Sequence, residues 1–169
     1  QLDRRLIAVI ALGGVFFAAD LGTWHLGILK TKLANATLLG NVASLLFPLY
    51  GFIIARAMPS RFQGTALALA AFGGVLLMGR SYELSPQYLA GDLLCLLAGL
   101  FYTLYLIAID RARGAIDPWR LLTLSTIAGV LPLLVFALLL GEPIWPDRWW
   151  PLIALTLVSQ LIGQGLLVY

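Results

Sequence analysis

The sequence has few charged residues, a single cysteine and a single histidine. Charged residues make up 11% of its 169 positions and apolar residues 61%, whereas an average soluble domain has about a quarter and about half. Its 11 Lys and Arg and 8 Asp and Glu residues are too few to cover a soluble domain of this length. One cysteine excludes a disulfide scaffold, and the excess of apolar residues excludes disorder. The mean hydropathy of +0.95 therefore indicates a protein that lies in lipid.

Motifs typical of soluble enzymes and of metal sites are also missing from the sequence. There is no GxSxG, HExxH, GxGxxG or Walker pattern, and His25 alone cannot form a metal cluster. An intramembrane serine protease would need Ser159 to meet His25, but we predict the two residues at different depths. The net charge of +3 comes from basic residues that are dispersed, so it does not predict nucleic-acid binding. We expect no enzyme activity, no cofactor, no metal and no nucleic-acid partner.

Six apolar runs are each long enough to cross a bilayer, whose core of about 30 Å needs about 20 helical residues. Short connections that contain Pro, Gly, Ser or charged residues separate the runs. We therefore predict an all-α, polytopic membrane bundle of six transmembrane helices with no soluble domain. The runs are Leu6 to Leu29, Leu33 to Ala55, Phe62 to Gly79, Tyr88 to Ile109, Leu121 to Gly141, and Trp149 to Tyr169.

The distribution of Lys and Arg predicts the orientation of these spans. More basic residues lie on the side of the N-terminus than on the opposite side, and short loops rich in Lys and Arg stay in the cytoplasm. We therefore predict a cytoplasmic N-terminus in the cytoplasmic or inner membrane. On the first side are Arg4, Arg5, Arg56, Arg61, Arg111, Arg113 and Arg120, and on the second are Lys30, Lys32, Arg80 and Arg148.

Polar residues inside the spans form the candidate site. Asp20 is the only acid well inside a span, where a carboxylate costs at least about 2.5 to 3.5 kcal/mol. Counting the rise per residue puts Asn41 level with Asp20, and Asn35 level with His25. A polar layer near the midplane is what the path of a solute requires. The candidate substrate-binding residues are Asp20, Trp24, His25, Thr37, Asn41, Ser44, Tyr102, Tyr105, Gln160 and Gln164.

Each polar residue also has a purely structural interpretation. For Ser44, Thr123 and Thr126 we favour hydrogen bonds to the backbone or across helices. Asp92 lies one turn inside its span, so we favour a helix N-terminal acid stabilised by the dipole over a site residue. His25 suits the membrane interface equally well, and the two tyrosines suit packing equally well.

Three stretches of the chain resemble the EamA-type permeases of the drug/metabolite transporter superfamily. Residues 16–48, with the sequence FFAADLGTWHLGILKTKLANATLLGNVASLLFP, resemble the third and fourth helices of that family. Residues 91–111 resemble the opening helix of its second repeat, and residues 159–163 resemble its eighth helix. The sequence departs from the family at Ser44, where members commonly have Pro, and at Arg56, where they usually have Glu.

The resemblance implies a domain organisation. The family has ten helices in two inverted repeats of five, so we expect this chain to be a fragment that holds the third to eighth helices. Residues 1–80 would then be the C-terminal part of the first repeat, and residues 81–169 the N-terminal part of the second.

The resemblance also implies a function and partners. It implies a secondary carrier that moves small metabolites or drugs by alternating access, with export as the commoner direction. Its partners would be a small-molecule solute and the lipid bilayer. Coupling to a proton that is exchanged through Asp20 stays open. Assembly into a homodimer stays open as well. The alternative is a membrane protein without transport activity, either an embedded enzyme or an assembly partner, whose polar layer only joins helices.

Overall fold

The structure is a computed structural model that describes residues 3–81, 85–141, 143 and 145–168. All regular structure in these residues is helical, which confirms the predicted class of a polytopic helical membrane protein. The last span contains a π-helix, in which backbone groups bond five residues apart. The elements are α1 (Arg4–Ile28), α2 (Leu33–Gly40), α3 (Ala43–Ala55), α4 (Arg61–Ser81), α5 (Leu89–Ala112), α6 (Pro118–Leu139), α7 (Trp150–Leu155), the π-helix (Thr156–Gln164) and α8 (Gly165–Val168).

Within these ranges, five stretches are long and apolar enough to cross a membrane. Each overlaps a predicted span, so the chain is a multi-pass membrane protein. The predicted span from Phe62 to Gly79 falls in α4, but the side chains of residues 77–81 lie outside the described residues. The five stretches are Arg4–Ile28, Leu33–Ala55, Leu89–Ala112, Pro118–Leu139 and Trp150–Leu167.

Side-chain caps begin two of the helices. Before α4, the Gln63 side chain accepts a hydrogen bond from the Ser60 N–H at 2.9 Å, and Ser60 Oγ accepts one from the Gln63 N–H at 3.3 Å. This reciprocal pair is a capping box. Before α6, the Asp117 side chain accepts hydrogen bonds from the N–H groups of Trp119 and Arg120. Both caps satisfy backbone donors that a helix start leaves without partners inside the helix.

The second span is interrupted at Asn41 and Val42, between α2 and α3. Pro48 in α3 has no N–H, and a proline ring crowds the carbonyl four residues earlier, here that of Ser44. Ser44 Oγ donates a hydrogen bond to the Asn41 carbonyl at 2.8 Å. The Val42 N–H bonds to the Leu39 carbonyl, three residues back, at 3.3 Å. The helix therefore tightens and breaks one to two turns before the proline.

Residue contacts divide the chain into two compact units. The central unit is Ala19–Leu104, and the terminal unit combines Gln1–Ala18 with Tyr105–Tyr169. These limits differ from the predicted repeat boundary between residues 80 and 81, and the division into repeats stays a prediction. The predicted junction from Ser81 to Gln87 includes residues 82–84, which lie outside the described residues.

In the terminal unit, α1 packs closely against α5 and α6 through two adjacent glycines. A Cβ atom added to Gly14 would collide with the Ser125 carbonyl oxygen and lie 2.9 Å from the Gly129 nitrogen. A Cβ added to Gly13 would lie 3.2 Å from the Ala108 Cβ. Small residues allow helix backbones to approach in lipid, where packing rather than the hydrophobic effect drives helix association. The two glycines therefore hold α1 close to both neighbouring helices.

In the central unit, α5 presents a buried face of small residues spaced four apart. The face consists of Gly91, Cys95, Gly99 and Thr103, and residues four apart lie on one side of a helix. A Cβ atom on Gly99 would lie 3.0 Å from the Gly40 carbonyl oxygen. The start of α5 therefore packs directly on α2, beside the break in the second span.

Candidate functional site

A buried polar cluster lies where the start of α5 meets α2 and the connection that precedes it. Asp92 is only 6% exposed, and its Oδ1 accepts hydrogen bonds from Asn35 Nδ2 at 3.0 Å and from Thr31 Oγ1. Asn35 is fully buried. A buried carboxylate needs such donors because transfer out of water is costly without them. We call Thr31, Asn35 and Asp92 the Asp92 cluster.

The position of Asp92 agrees only in part with its sequence interpretation. Asp92 stands in the first turn of α5, where the helix dipole favours a negative charge, as predicted. Its hydrogen bonds to the α2 region were not predicted, and Asn35, predicted at the depth of His25, donates to this carboxylate. One signal could have identified the cluster: Thr31, Asn35 and Asp92 all lie near span ends that the charge count places on one side of the membrane.

Trp24 covers the break in the second span from the side of α1. A Cβ atom on Gly40 would lie 3.2 Å from both Cδ1 and Nε1 of the Trp24 ring, so the indole rests on the backbone beside Asn41. Asp20 lies one turn earlier on α1, on the same helix face. In the part of the chain that the structure describes, the Asp20 carboxylate has no hydrogen bond or ion pair. The predicted pairing of Asp20 with Asn41 is therefore not formed by a hydrogen bond.

Thr37, Asn41 and Ser44 are exposed and bond to their own backbone. Thr37 Oγ1 donates to the carbonyl four residues earlier at 2.8 Å, and Asn41 Nδ2 donates to the Thr37 carbonyl at 2.7 Å. The three side chains line a groove of about 490 Å³ between the second span and α4. Ala70 and Gly74 lie on its opposite wall. These three candidate site residues therefore face this groove within the central unit.

In the terminal unit, two predicted site residues are joined by a hydrogen bond. The Tyr105 hydroxyl donates to Gln164 Oε1 at 3.3 Å, and the Tyr105 ring lies 4.9 Å from the ring of Phe17. Tyr105 is only 2% exposed. Gln160, one turn before Gln164, is part-buried, whereas its neighbours in the π-helix are exposed. The glutamine face of the last span therefore turns towards the protein.

The remaining predicted site residues, His25 and Tyr102, are part-buried in the central unit. Their roles stay predictions. Over the described ranges, no group of three His, Cys, Asp or Glu side chains could hold a metal ion.

Residues 89–169, which run from the start of α5 through the last span, match the model of the EamA-like transporter family. The match confirms the resemblance drawn from residues 91–111 and 159–163, and this EamA-like segment contains the hydrogen-bonded pair Tyr105 and Gln164. The match therefore suggests a membrane transporter. No curated protein and no solved structure matches the chain.

Proposed function

We propose that the protein acts as a secondary carrier that moves a small metabolite or drug across the cytoplasmic or inner membrane by alternating access. The observation that supports this most directly is the Tyr105 and Gln164 pair in the EamA-like segment. Two spans there direct polar groups towards each other within an apolar protein. Polar side chains are costly in lipid, and where they occur inside spans they commonly mark the path of a solute.

The interruption of the second span also supports a carrier. Transporter sites are typically formed by discontinuous helices, because irregular backbone in a membrane is tolerated where it lines a cavity. The break at Asn41 lies beside Trp24 and lines a groove. The π-helix in the last span is a second irregular element, of a kind often found at functional sites.

Each predicted site residue has a role in this proposal. Asp20 and Asn41 bind the polar part of the solute, and a proton or a cationic solute neutralises the Asp20 carboxylate inside the span. Exchange of a proton through Asp20 couples export to the proton gradient. The aromatic residues contact the apolar part of the solute, and the glutamines complete the cytoplasmic half. The aromatic residues are Trp24, Tyr102 and Tyr105, and the glutamines are Gln160 and Gln164. The side chains of His25, Thr37 and Ser44 complete the lining of the site.

The proposed orientation has a cytoplasmic N-terminus. It rests on the excess of Lys and Arg on the side of the N-terminus. The contact of Thr31 with Asp92 supports the grouping of span ends used in that count, in which the α1–α2 connection and the start of α5 lie on one side. Arg80 also enters that count, and its side chain lies outside the described residues.

Transport is tested by reconstituting the full chain in proteoliposomes. We expect uptake of one member of a panel of labelled amino acids, nucleosides, sugars and amphiphilic amines, with a change in lumenal pH. The Asp20→Asn variant should abolish the flux or uncouple it from the proton, whereas Asp110→Asn should leave it unchanged. Asp110 is the matched control because it is an exposed acid paired with Arg113 at 2.9 Å. Equal flux in wild type and Asp20→Asn would remove Asp20 from the mechanism.

A second candidate function is a membrane protein without transport activity, whose polar residues only stabilise helices. The observation that favours it is that Asn41 and Ser44 donate to carbonyls of their own span, as structural residues do. Cysteines at Asn41 and Gln160, in a Cys95→Ser background, distinguish the two functions. A water-filled path should make both react with a small polar thiol reagent, and protection of both in every condition would support the structural role.

A further inference from the structure

One end of the central unit is held together by polar contacts that the proposed solute path does not use. The Asp92 carboxylate accepts hydrogen bonds from Asn35 at 3.0 Å and 3.3 Å, and from Thr31. Next to this cluster, Lys32 Nζ lies 5.6 Å from the centroid of the Tyr88 ring, within the range of a cation–π contact. These contacts join the region at the start of α5 to α2 and to the residues that connect α1 with α2.

The backbones below these contacts lie against each other without intervening side chains. A Cβ atom on Gly91 would lie 2.5 Å from the Lys30 carbonyl carbon, and one on Gly27 would lie 2.5 Å from Cys95 Sγ. Because surfaces of small residues have no interlocking side chains, two such surfaces can separate and close again. The polar contacts are therefore what distinguishes the closed arrangement at this end from a separated one.

We propose that the Asp92 cluster is a latch that keeps this end of the central unit closed and that opens when water enters there. In the closed state the donors of Asn35 and Thr31 replace water around a charged group, and hydrogen bonds to charged groups are the strong ones. In an open state, water hydrates the same groups, so opening costs only the net contribution of these hydrogen bonds and not their full strength. The latch therefore has two stable arrangements, one dry and one hydrated.

Cys95 is a natural reporter of this opening. It is the only cysteine of the chain, it is fully buried, and it follows Asp92 by about one turn of α5. Its sulfur rests on Gly27 of α1. Separation of α5 from α1 exposes the sulfur directly, so the rate of thiol alkylation measures how often the latch is open.

The test measures alkylation of Cys95 by N-ethylmaleimide in the full chain in proteoliposomes, followed by mass spectrometry. Wild type should react slowly. The Asp92→Asn and Asn35→Ala variants should each react about tenfold to a hundredfold faster, the change expected when a hydrogen bond to a charged group is lost. Wild-type rates in both variants would refute the latch.

Two controls separate the latch from a nonspecific effect. The Asp110→Asn variant removes an exposed acid of the same helix and should react like wild type. The Asn35→Asp variant places two carboxylates together and should react faster, while the double variant Asp92→Asn with Asn35→Asp restores one acid and one amide. Recovery towards the wild-type rate in the double variant supports a direct contact, and no recovery contradicts it.

General unfolding is detected at a second position. Ser125 is buried in the terminal unit, so a Ser125→Cys substitution in a Cys95→Ser background reports on the unit that does not contain the Asp92 cluster. If Asp92→Asn accelerates labelling at residue 125 as much as at Cys95, the variant unfolds the protein and the latch is refuted. Unchanged labelling at residue 125 supports local opening.

The role of the latch in transport rests on the proposed function, but the labelling test does not. If transport fails in wild type while the labelling rates follow the expected pattern, the carrier is wrong and the latch stands. If flux occurs and the labelling rates do not change, the latch is wrong and the carrier stands.

Discussion

The contact between Gly14 in α1 and α6 makes a sharp prediction about stability. In the Gly14→Ala variant, the new Cβ would collide with the Ser125 carbonyl oxygen and lie 2.8 Å from the Ala128 Cβ. Ordinary carbon contacts are about 3.5 to 4.0 Å, so the two helices must move apart by roughly 1 Å. The obstructing atoms belong to the backbone or to a Cβ, so no flexible side chain can give way.

The magnitude follows from two opposing terms. Overpacking in a close-packed interior costs about 1 to 3 kcal/mol, and exchange of Gly for Ala in a helix returns at most about 1 kcal/mol. Because the obstructing atoms cannot move aside, the upper part of the overpacking range applies, about 2 to 3 kcal/mol. After subtraction of about 1 kcal/mol for helix propensity, we expect Gly14→Ala to lower the free energy of unfolding by about 1 to 2 kcal/mol. For a chain of this length that corresponds to a fall in Tm of about 2 to 8 °C.

The assay is thermal unfolding in detergent, with Gly51→Ala as the matched control. Gly51 also lies inside a helix, but a Cβ there has nothing within 4 Å, so only the favourable helix propensity remains. Gly51→Ala should leave Tm unchanged or raise it. A Gly14→Ala variant as stable as Gly51→Ala would refute the argument that α1 and α6 touch through their backbones.

Three further substitutions test local features. Replacing the capping Asp117 by Ala should lower the free energy of unfolding by about 1 kcal/mol, measured by thermal melting. The Asp117→Asn variant should retain most of the stability that the cap contributes. Equal losses of stability in the two variants would contradict a capping role. Tyr105→Phe removes the hydrogen bond to Gln164 but keeps the contact with the Phe17 ring. We therefore expect the free energy of unfolding to fall by about 0.5 to 1.5 kcal/mol in the same assay. A fall of more than about 3 kcal/mol would indicate further contacts of the hydroxyl. Arg56 caps the end of α3 with a φ of 50°, a conformation that glycine adopts without strain. Arg56→Gly should therefore raise the free energy of unfolding by up to about 1 kcal/mol. A lower Tm would show that the Arg56 side chain contributes more stability than its backbone strain costs.

The spans were the most predictable part of the structure. Their number and limits depend on the length of apolar sequence, which is a local property and does not require knowledge of the neighbouring helices. The backbone hydrogen bond of Thr123, which donates to the Trp119 carbonyl at 2.8 Å, was predicted for the same reason, because it stays within one turn of one helix. The EamA-like segment was likewise recognised from residues 91–111 and 159–163.

The polar contacts between elements were predicted less well, because they depend on how helices turn about their axes. Depth along the membrane put Asn35 beside His25, but depth does not decide which neighbour an amide faces. The rotation of α2 is set by its close contact with Gly99 in α5, and this rotation turns Asn35 towards Asp92. The hydrogen bond between Tyr105 and Gln164 joins two candidate site residues, and their role in binding a solute stays a prediction.

The interruption of the second span has one more consequence, which concerns motion. Asn41 and Val42 both retain their N–H groups, unlike a proline, and Val42 already bonds to Leu39. Shifting this donor by one residue would make the segment continuous at a cost of about one or two hydrogen bonds, roughly 1 to 3 kcal/mol. A continuous form within that range would be populated at between about 0.5 and 15%. Thermal energy alone is therefore sufficient to interconvert the interrupted and the continuous form of the second span, without prolyl isomerisation.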